Sequence, residues 1–264
     1  MSHIGTDNSD LRIALPGDGD RSLTLSWAAR TDVGHRRANN EDSVLVVSPV
    51  FAVADGMGGH AAGDRASAAA VEHLQPRTGV TFLDIETLEA SLASAAADID
   101  ALAIGIPVGV GTTVTGAVLV LEDDDPTFAV FNIGDSRVYR FENNELRRVT
   151  VDHSVVQELV DAGTLSAEDA ENHPDSNVIT RALGFRDDPR PDVWMIPART
   201  GMRLLICSDG LTKELGDDRI RLHLASGMSA GETASALVDA ALAAGGRDNV
   251  TLVIVDVLDA PDRP

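Results

Sequence analysis

The chain has 264 residues, 44% of them apolar, a formal net charge of −21 and one cysteine. That length can bury one sizeable core. The acidic balance excludes broad binding of nucleic acid or of anionic membrane, and a lone cysteine excludes an internal disulfide framework or a cysteine-based zinc site. Aromatic residues make up only 3%, so the core is expected to be aliphatic with closely packed layers.

Residues 1–22 are polar, rich in Asp and Gly, and read as a flexible tail. They lack the basic-then-apolar order of a signal peptide. No run in the chain reaches the roughly 18 apolar residues of a membrane span. A cytoplasmic protein with no membrane partner is therefore expected.

A strand is predicted over 23–31, and two more over 44–47 and 50–54, joined at Ser48-Pro49. A glycine-rich loop over 58–63 leads into a helix over 64–74. A second helix is predicted over 85–102, where Leu88, Leu92, Ala95, Ala96, Ile99 and Leu102 fall at helical spacing. Both helices carry a small, aliphatic face suited to lying flat on a sheet.

The runs 114–121 and 127–133 flank an acidic turn, and 137–141 and 146–149 flank a polar one, so each pair reads as an antiparallel hairpin. Helices are predicted over 155–162, from Ser166 with Asp169 three residues on, and over 217–224 and 230–244. Strands are predicted over 193–196, 203–207 and 251–257, and residues 259–264 are expected to fray. Strands joined in adjacent pairs and helices arriving in blocks define an α+β class with antiparallel sheets, not a βαβ alternation.

The chemistry lies where the strands stop. Apolar runs end at Asp55-Gly56, Gly134-Asp135 and Ser208-Asp209-Gly210; Asp248-Asn249 opens the last run, and Glu41-Asp42 precedes the run 44–47. Taken alone, an Asp-Gly pair is more often a turn than a ligand. Repeated at the ends of several buried-looking strands, such pairs can bring carboxylates from distant sequence to one rim. Carboxylates gathered there repel each other unless cations sit between them. That pattern points to hard divalent metals on oxygen ligands and to hydrolytic phosphate chemistry. Gly56 could add its carbonyl oxygen.

Arg37 lies four residues before Glu41. It reads either as a surface charge paired with that acid or as a clamp whose guanidinium fork fits phosphate oxygens. Gly56-Met57-Gly58-Gly59-His60 is glycine-rich but lacks the Gly-Lys-Ser/Thr end of a nucleotide-binding loop. His60 and His153 lie near these loops; each could donate a proton to a leaving oxygen or be a plain solvated histidine. Cys207, inside an apolar run, reads as a small buried core residue.

Arg37-Ala38-Asn39-Asn40-Glu41-Asp42, Ala54-Asp55-Gly56-Met57-Gly58-Gly59, Gly111-Thr112-Thr113, Ile133-Gly134-Asp135-Ser136-Arg137, Cys207-Ser208-Asp209-Gly210 and Asp248-Asn249-Val250-Thr251 follow one another in that order. With them the chain resembles the metal-dependent protein serine/threonine phosphatases of the 2C class, bacterial branch, over nearly its whole length. The resemblance implies a four-layer αββα sandwich, two antiparallel sheets flanked by helices, as a single phosphatase domain over 23–258. It implies two Mn2+ or Mg2+ ions at one end of the sheets, and a third, weaker ion as in many bacterial members.

By the same resemblance Asp55 bridges the two ions, Gly56 gives its carbonyl, and Asp209 and Asp248 ligate one ion. Glu41 reaches the other through water, Asp42 supports the catalytic centre from behind, and Asp135 with Asp209 holds the third ion. Arg37 falls on the phosphate-binding arginine. Animal members carry a histidine, proposed as general acid, where this chain has Met57, which leaves the proton to a metal-bound water or His60. Residues 152–177 match a flap that shapes substrate choice.

The implied activity is hydrolysis of phosphoserine and phosphothreonine in proteins by a metal-activated water. The implied partners are phosphorylated proteins, among them Ser/Thr kinases and their substrates, and a monomer is expected. A phosphatase dedicated to one regulator is an alternative. A phosphoprotein-binding pseudo-enzyme would show a lost ligand position, and none is lost.

Overall fold

The computed structural model describes residues 1–17, 21–58, 62–106, 109–170, 173–185 and 190–261. In chain order the first elements are strands β1 (His3–Gly5), β2 (Asn8–Ala14), β3 (Ser22–Asp32), β4 (Asp42–Val47) and β5 (Val50–Gly58). Helices α1 (Gly63–Leu74) and α2 (Ile85–Ala103) follow, then β6 (Val110–Thr112), β7 (Val114–Glu122), β8 (Asp125–Ile133), β9 (Arg137–Glu142) and β10 (Glu145–Arg148). The remainder is α3 (Val155–Asp161), α4 (Ala167–Ala170), β11 (Asp192–Pro197), β12 (Arg203–Cys207), α5 (Asp209–Thr212), α6 (Asp217–Leu224), α7 (Ala230–Ala244) and β13 (Val250–Asp259).

The strands form two sheets. One runs β1-β4-β5-β7-β8-β11 with β6 added on β5, and the other runs β10-β9-β12-β13-β3-β2. Strand alternation sends successive side chains to opposite faces. On β5, Phe51 and Val53 therefore join the core between the sheets, while Ala52 and Ala54 face α1 and α2. Between the sheets Trp27 of β3 meets Phe51 edge to face, with ring centroids 5.2 Å apart. On the far side of the second sheet, Leu205, Cys207 and Ile254 pack against Leu211, Ile220 and Leu237 of α5, α6 and α7. With helices over most of both outer faces, the central strands read as unbroken apolar runs. Cys207 is buried among them, which pushes its thiol up to about 12.

Local chemistry explains the turns and caps. Asp123-Asp124 between β7 and β8, and Asn143-Asn144 between β9 and β10, adopt positive φ at both positions, as a two-residue hairpin turn demands. Helix α7 begins with a capping box in which the Ser229 and Glu232 side chains satisfy each other's backbone N–H groups. Ser166 Oγ accepts from the Asp169 N–H at 3.1 Å, capping α4.

The structure corrects three expectations. Residues 1–22 do not form a loose tail: β1 pairs with β4 and β2 pairs with β3, because Leu11, Ile13 and Leu15 alternate inward against the inter-sheet core. The first sheet is mixed, not wholly antiparallel, since β1 and β4 run parallel. At the other end β13 continues to Asp259 before the chain leaves the sheet. Among the described residues no helix is long and apolar enough to cross a membrane.

This topology sets up the site. The C-terminal ends of β5, β8 and β12 and the N-terminal ends of β4 and β13 lie at one end of the sandwich. Asp42 faces Asp55 directly across the β4–β5 ladder, and the ladder of β12 with β13 brings Asp209 close to Asp248.

Candidate metal centre

Glu41, Asp55, Gly56, Asp135, Asp209 and Asp248 line one cavity of about 1140 Å³, together with Arg37 and Met57. Asp55 is held by its backbone: its N–H donates to Thr113 Oγ1 (3.0 Å), and its carbonyl accepts from the Thr113 N–H (2.9 Å) and from Thr112 Oγ1 (2.9 Å). The Gly56 N–H donates to the Glu41 carbonyl at 3.2 Å. A Cβ on Gly56 would lie 2.0 Å from the Gly63 carbonyl oxygen and 2.7 Å from that of Glu41. We expect Gly56→Ala to separate β5 from α1, lowering stability by roughly 1–3 kcal/mol and weakening Mn2+ binding, read by thermal melts with and without the ion.

Behind the rim, Ser208 Oγ donates to Asp42 Oδ2 (2.9 Å) and accepts from the Thr251 N–H (3.0 Å). Asn249 accepts from the Glu41 N–H at Oδ1 (2.9 Å) and donates from Nδ2 to the carbonyls of Val33 and Asn39 (both 3.0 Å). In the sequence Ser208 and Asn249 stand out only as neighbours of the acids, and Thr112 and Thr113 only as a motif of the resemblance; here all four fix the backbone that carries the acids.

Arg37 does not pair with Glu41. Its Nε lies 2.7 Å from Asp248 Oδ1 and its Nη2 donates to Oδ2 at 2.8 Å. Lys213, four residues after Asp209, forms an ion pair with Asp209 Oδ2 and lies 4.0 Å from Asp248 Oδ2. Asp209 Oδ1 is buried and meets no hydrogen-bond partner. Even with these two cations present, the acids strain against one another. Burial first, then the charges of Asp42, Asp209, Asp135 and Asp248, raise Asp55 well above the usual carboxylate range. Asp42 is raised to about 7 by burial and by Asp209 and Asp248, although hydrogen bonds from Thr251 and Ser208 pull it down. Asp135 is raised to about 7 by burial and then by Asp209. Burial and the charge of Asp64 raise Glu41 as well.

Do these residues fit divalent cations? With Arg37 and Lys213 drawn onto the acids, no three acidic, histidine or cysteine side chains among the described residues stand close enough to hold an ion as arranged. The donor set itself is all oxygen, it includes one buried carboxylate oxygen with no partner, and its charge is under-compensated. Such a set suits a hard cation such as Mg2+ or Mn2+. The fit is therefore one of chemistry and place.

His60 lies outside the described residues. His153 is not in the cavity wall: its Nδ1 accepts from the Gly134 N–H (3.1 Å), and its Nε2 faces Asp192 (3.2 Å). Burial lowers its pKa, although Asp192 opposes this. It is a structural histidine that ties the segment after Asp152 to the end of β8.

The opposite wall is the segment 152–177, which contributes Asp152, Ser154, Val156, Gln157, Val160, Ala167, Ala170, Ser176 and Asn177. Its anchor is Asp152, which accepts from Arg137 Nε (3.1 Å to each oxygen) and Nη2 (2.7 Å) and from Arg148 (3.4 Å). The Arg137 side chain is 23% exposed and that of Asp152 8%. Asp152→Ala would leave a largely buried guanidinium uncompensated; breaking a buried pair in this way costs about 3–5 kcal/mol. Urea unfolding should read that loss, and a change under about 1 kcal/mol would place the anchor elsewhere.

Two packed sheets under helices carry acids from five chain segments at one end, an all-oxygen set suited to hard cations. The profile of the Protein phosphatase 2C family matches residues 34–244, and the chain belongs to that metal-dependent family. Among curated relatives it is 41% identical to the serine/threonine protein phosphatase PstP of Mycobacterium tuberculosis over 90% of this chain and 46% of that protein, so it spans about half the length of that relative. It is 37% identical to the serine/threonine phosphatase stp of Listeria welshimeri over 86% of this chain and 94% of that one. Among solved structures, a PstP catalytic domain in complex with two manganese ions superposes with a TM-score of 0.78 at 38% identity, over 90% of this chain and all of that one (100%).

Proposed function

We propose that this chain is a protein serine/threonine phosphatase that hydrolyses phosphoserine and phosphothreonine with two divalent cations, Mn2+ or Mg2+. The observation that carries this reading is the convergence of Asp55, Asp135, Asp209, Asp248 and Glu41 on one cavity from five separate chain segments. The names of the relatives support the substrate class.

Asp55, the Gly56 carbonyl, Asp209, Asp248 and Glu41 would hold the ions, with Asp55 central among them. When bound, the ions supply Lewis acidity towards phosphate oxygens and lower the pKa of water. Asp42 holds Ser208, and through it the start of α5, in place behind the ligands. The Arg37 side chain is 55% exposed on the open side of the cavity, so its fork can move from Asp248 to phosphate oxygens. Among the described residues no histidine lines the cavity; the leaving oxygen would take its proton from water or from His60, which follows the lining residue Gly58 in sequence and lies outside the described residues.

The catalytic domain in this reading is the sandwich from β1 to β13, with the segment 152–177 selecting among substrates. Those substrates are the products of Ser/Thr kinases, met in the cytoplasm by a monomer. The net charge of −21 argues against nucleic acid as a partner. Oxygen ligands accept Mn2+ and Mg2+ alike. The test is phosphate release from a phosphothreonine peptide: turnover should appear with added Mn2+ and vanish on chelation. Equal turnover in both conditions would defeat the proposal.

A further inference from the structure

The acidic rim carries a cation of its own. Lys213 stands one helical turn beyond Asp209, a spacing that brings its ammonium back over that carboxylate. Its backbone is fixed: the N–H donates to the Asp209 carbonyl at 2.8 Å, and the carbonyl accepts from Arg247 Nη2 at 2.9 Å. Only the four-carbon stem is free to swing, and it enters the cavity wall with 33% of the side chain exposed.

A partly desolvated ammonium is costly unless carboxylates face it. Here Asp209 bonds it, Asp248 lies 4.0 Å away, and Asp135 adds its field. The neighbouring arginines have other partners: Arg247 bonds Glu214 at 2.9 Å, and Arg37 holds Asp248 from the open side. Asp209 is thus divided. Its Oδ2 meets Lys213, while its Oδ1 is buried without a partner. One oxygen is left for a divalent ion, and the other already has a positive charge against it. An ammonium and a doubly charged ion cannot share that oxygen, because they repel.

We propose that Lys213 is a tethered cation filling the Asp135–Asp209 end of the rim, so that the site binds two divalent ions and not three. This rests on the two-ion reading above. It replaces the expectation of a third ion on Asp135 and Asp209 with a residue of the chain itself.

Equilibrium dialysis against Mn2+, with metal counted per chain by atomic emission, tests it without reference to turnover. The wild type should bind two ions. Lys213→Met should bind three, Lys213→Arg should remain at two, and Asp135→Asn added to Lys213→Met should return the count to two. Three ions on the wild type would overturn the proposal, whether or not the variants fold. Two ions on both the wild type and a folded Lys213→Met would also overturn it, leaving the two-ion reading intact. No ions on either would overturn both.

Discussion

Asp55→Asn should abolish Mn2+-dependent phosphate release while leaving the fold in place. Asp55 is central: the charges of Asp42, Asp209, Asp135 and Asp248 all act on it, and its backbone is pinned by Thr112 and Thr113. An amide is isosteric, so the ladder of β4 with β5 survives, but it removes the negative charge that a pair of cations would share. Loss of an outer-shell partner alone costs 10–100-fold in metal affinity or activity, so loss of an acid that would itself hold the ions should exceed roughly 100-fold. Because Asn also relieves repulsion, the metal-free variant should melt at a higher temperature than the metal-free wild type. Turnover within about tenfold of the wild type would remove Asp55 from the centre of the mechanism.

The metal-free protein should lose stability as the pH rises from about 4 to about 7, and Mn2+ should restore it. In the folded state Asp42 and Asp135 are raised to about 7, and Asp55 is raised well above its ordinary value of 3.8. Unfolded, these groups release their protons near that ordinary value. Between the two the folded protein binds more protons than the unfolded one, so stability falls with rising pH. Each pKa unit is worth about 1.4 kcal/mol, and the groups titrate together, so the total should reach a few kcal/mol. His153, lowered mainly by burial, works the other way but is a single group. Glu214, which hydrogen bonds from Arg247 lower in spite of burial, acts below this window. A cation at 100 times its dissociation constant adds about 2.7 kcal/mol per site. Thermal melts in chelator and in Mn2+ should therefore diverge from pH 5 to pH 8. Parallel curves would show that the acids do not repel one another as the geometry requires.

Much of this site is legible in the sequence because its acids sit at strand ends beside small residues. Asp55-Gly56, Ser208-Asp209-Gly210 and Asp248-Asn249 need close backbone approach, and the 2.0 Å between a Cβ on Gly56 and the Gly63 carbonyl shows why. The partners of the charged side chains are less legible. Arg37 has an acid four residues away but bonds one 211 residues on, a choice made by β3 and β13 lying side by side. Lys213 looks like an ordinary helical salt-bridge lysine until Asp248 and Asp135 arrive from other strands. Helix α5 has four residues, too few for any periodicity to register. Along β2 and just beyond it the alternation of Leu11, Ile13 and Leu15 is present, but Asp10 before them and Arg12 among them give the stretch the composition of a loop.

The N-terminal strands have one more consequence. β1 is the outermost strand of one sheet and β2 the outermost strand of the other, and only a short link separates them. A single stretch of chain thus hems both layers on the same flank, where bare β3 and β4 would otherwise invite a foreign strand. Since β4 begins at Asp42, opposite Asp55, clipping that hem would loosen the carboxylate pair at its root and offer two sticky borders to neighbouring molecules.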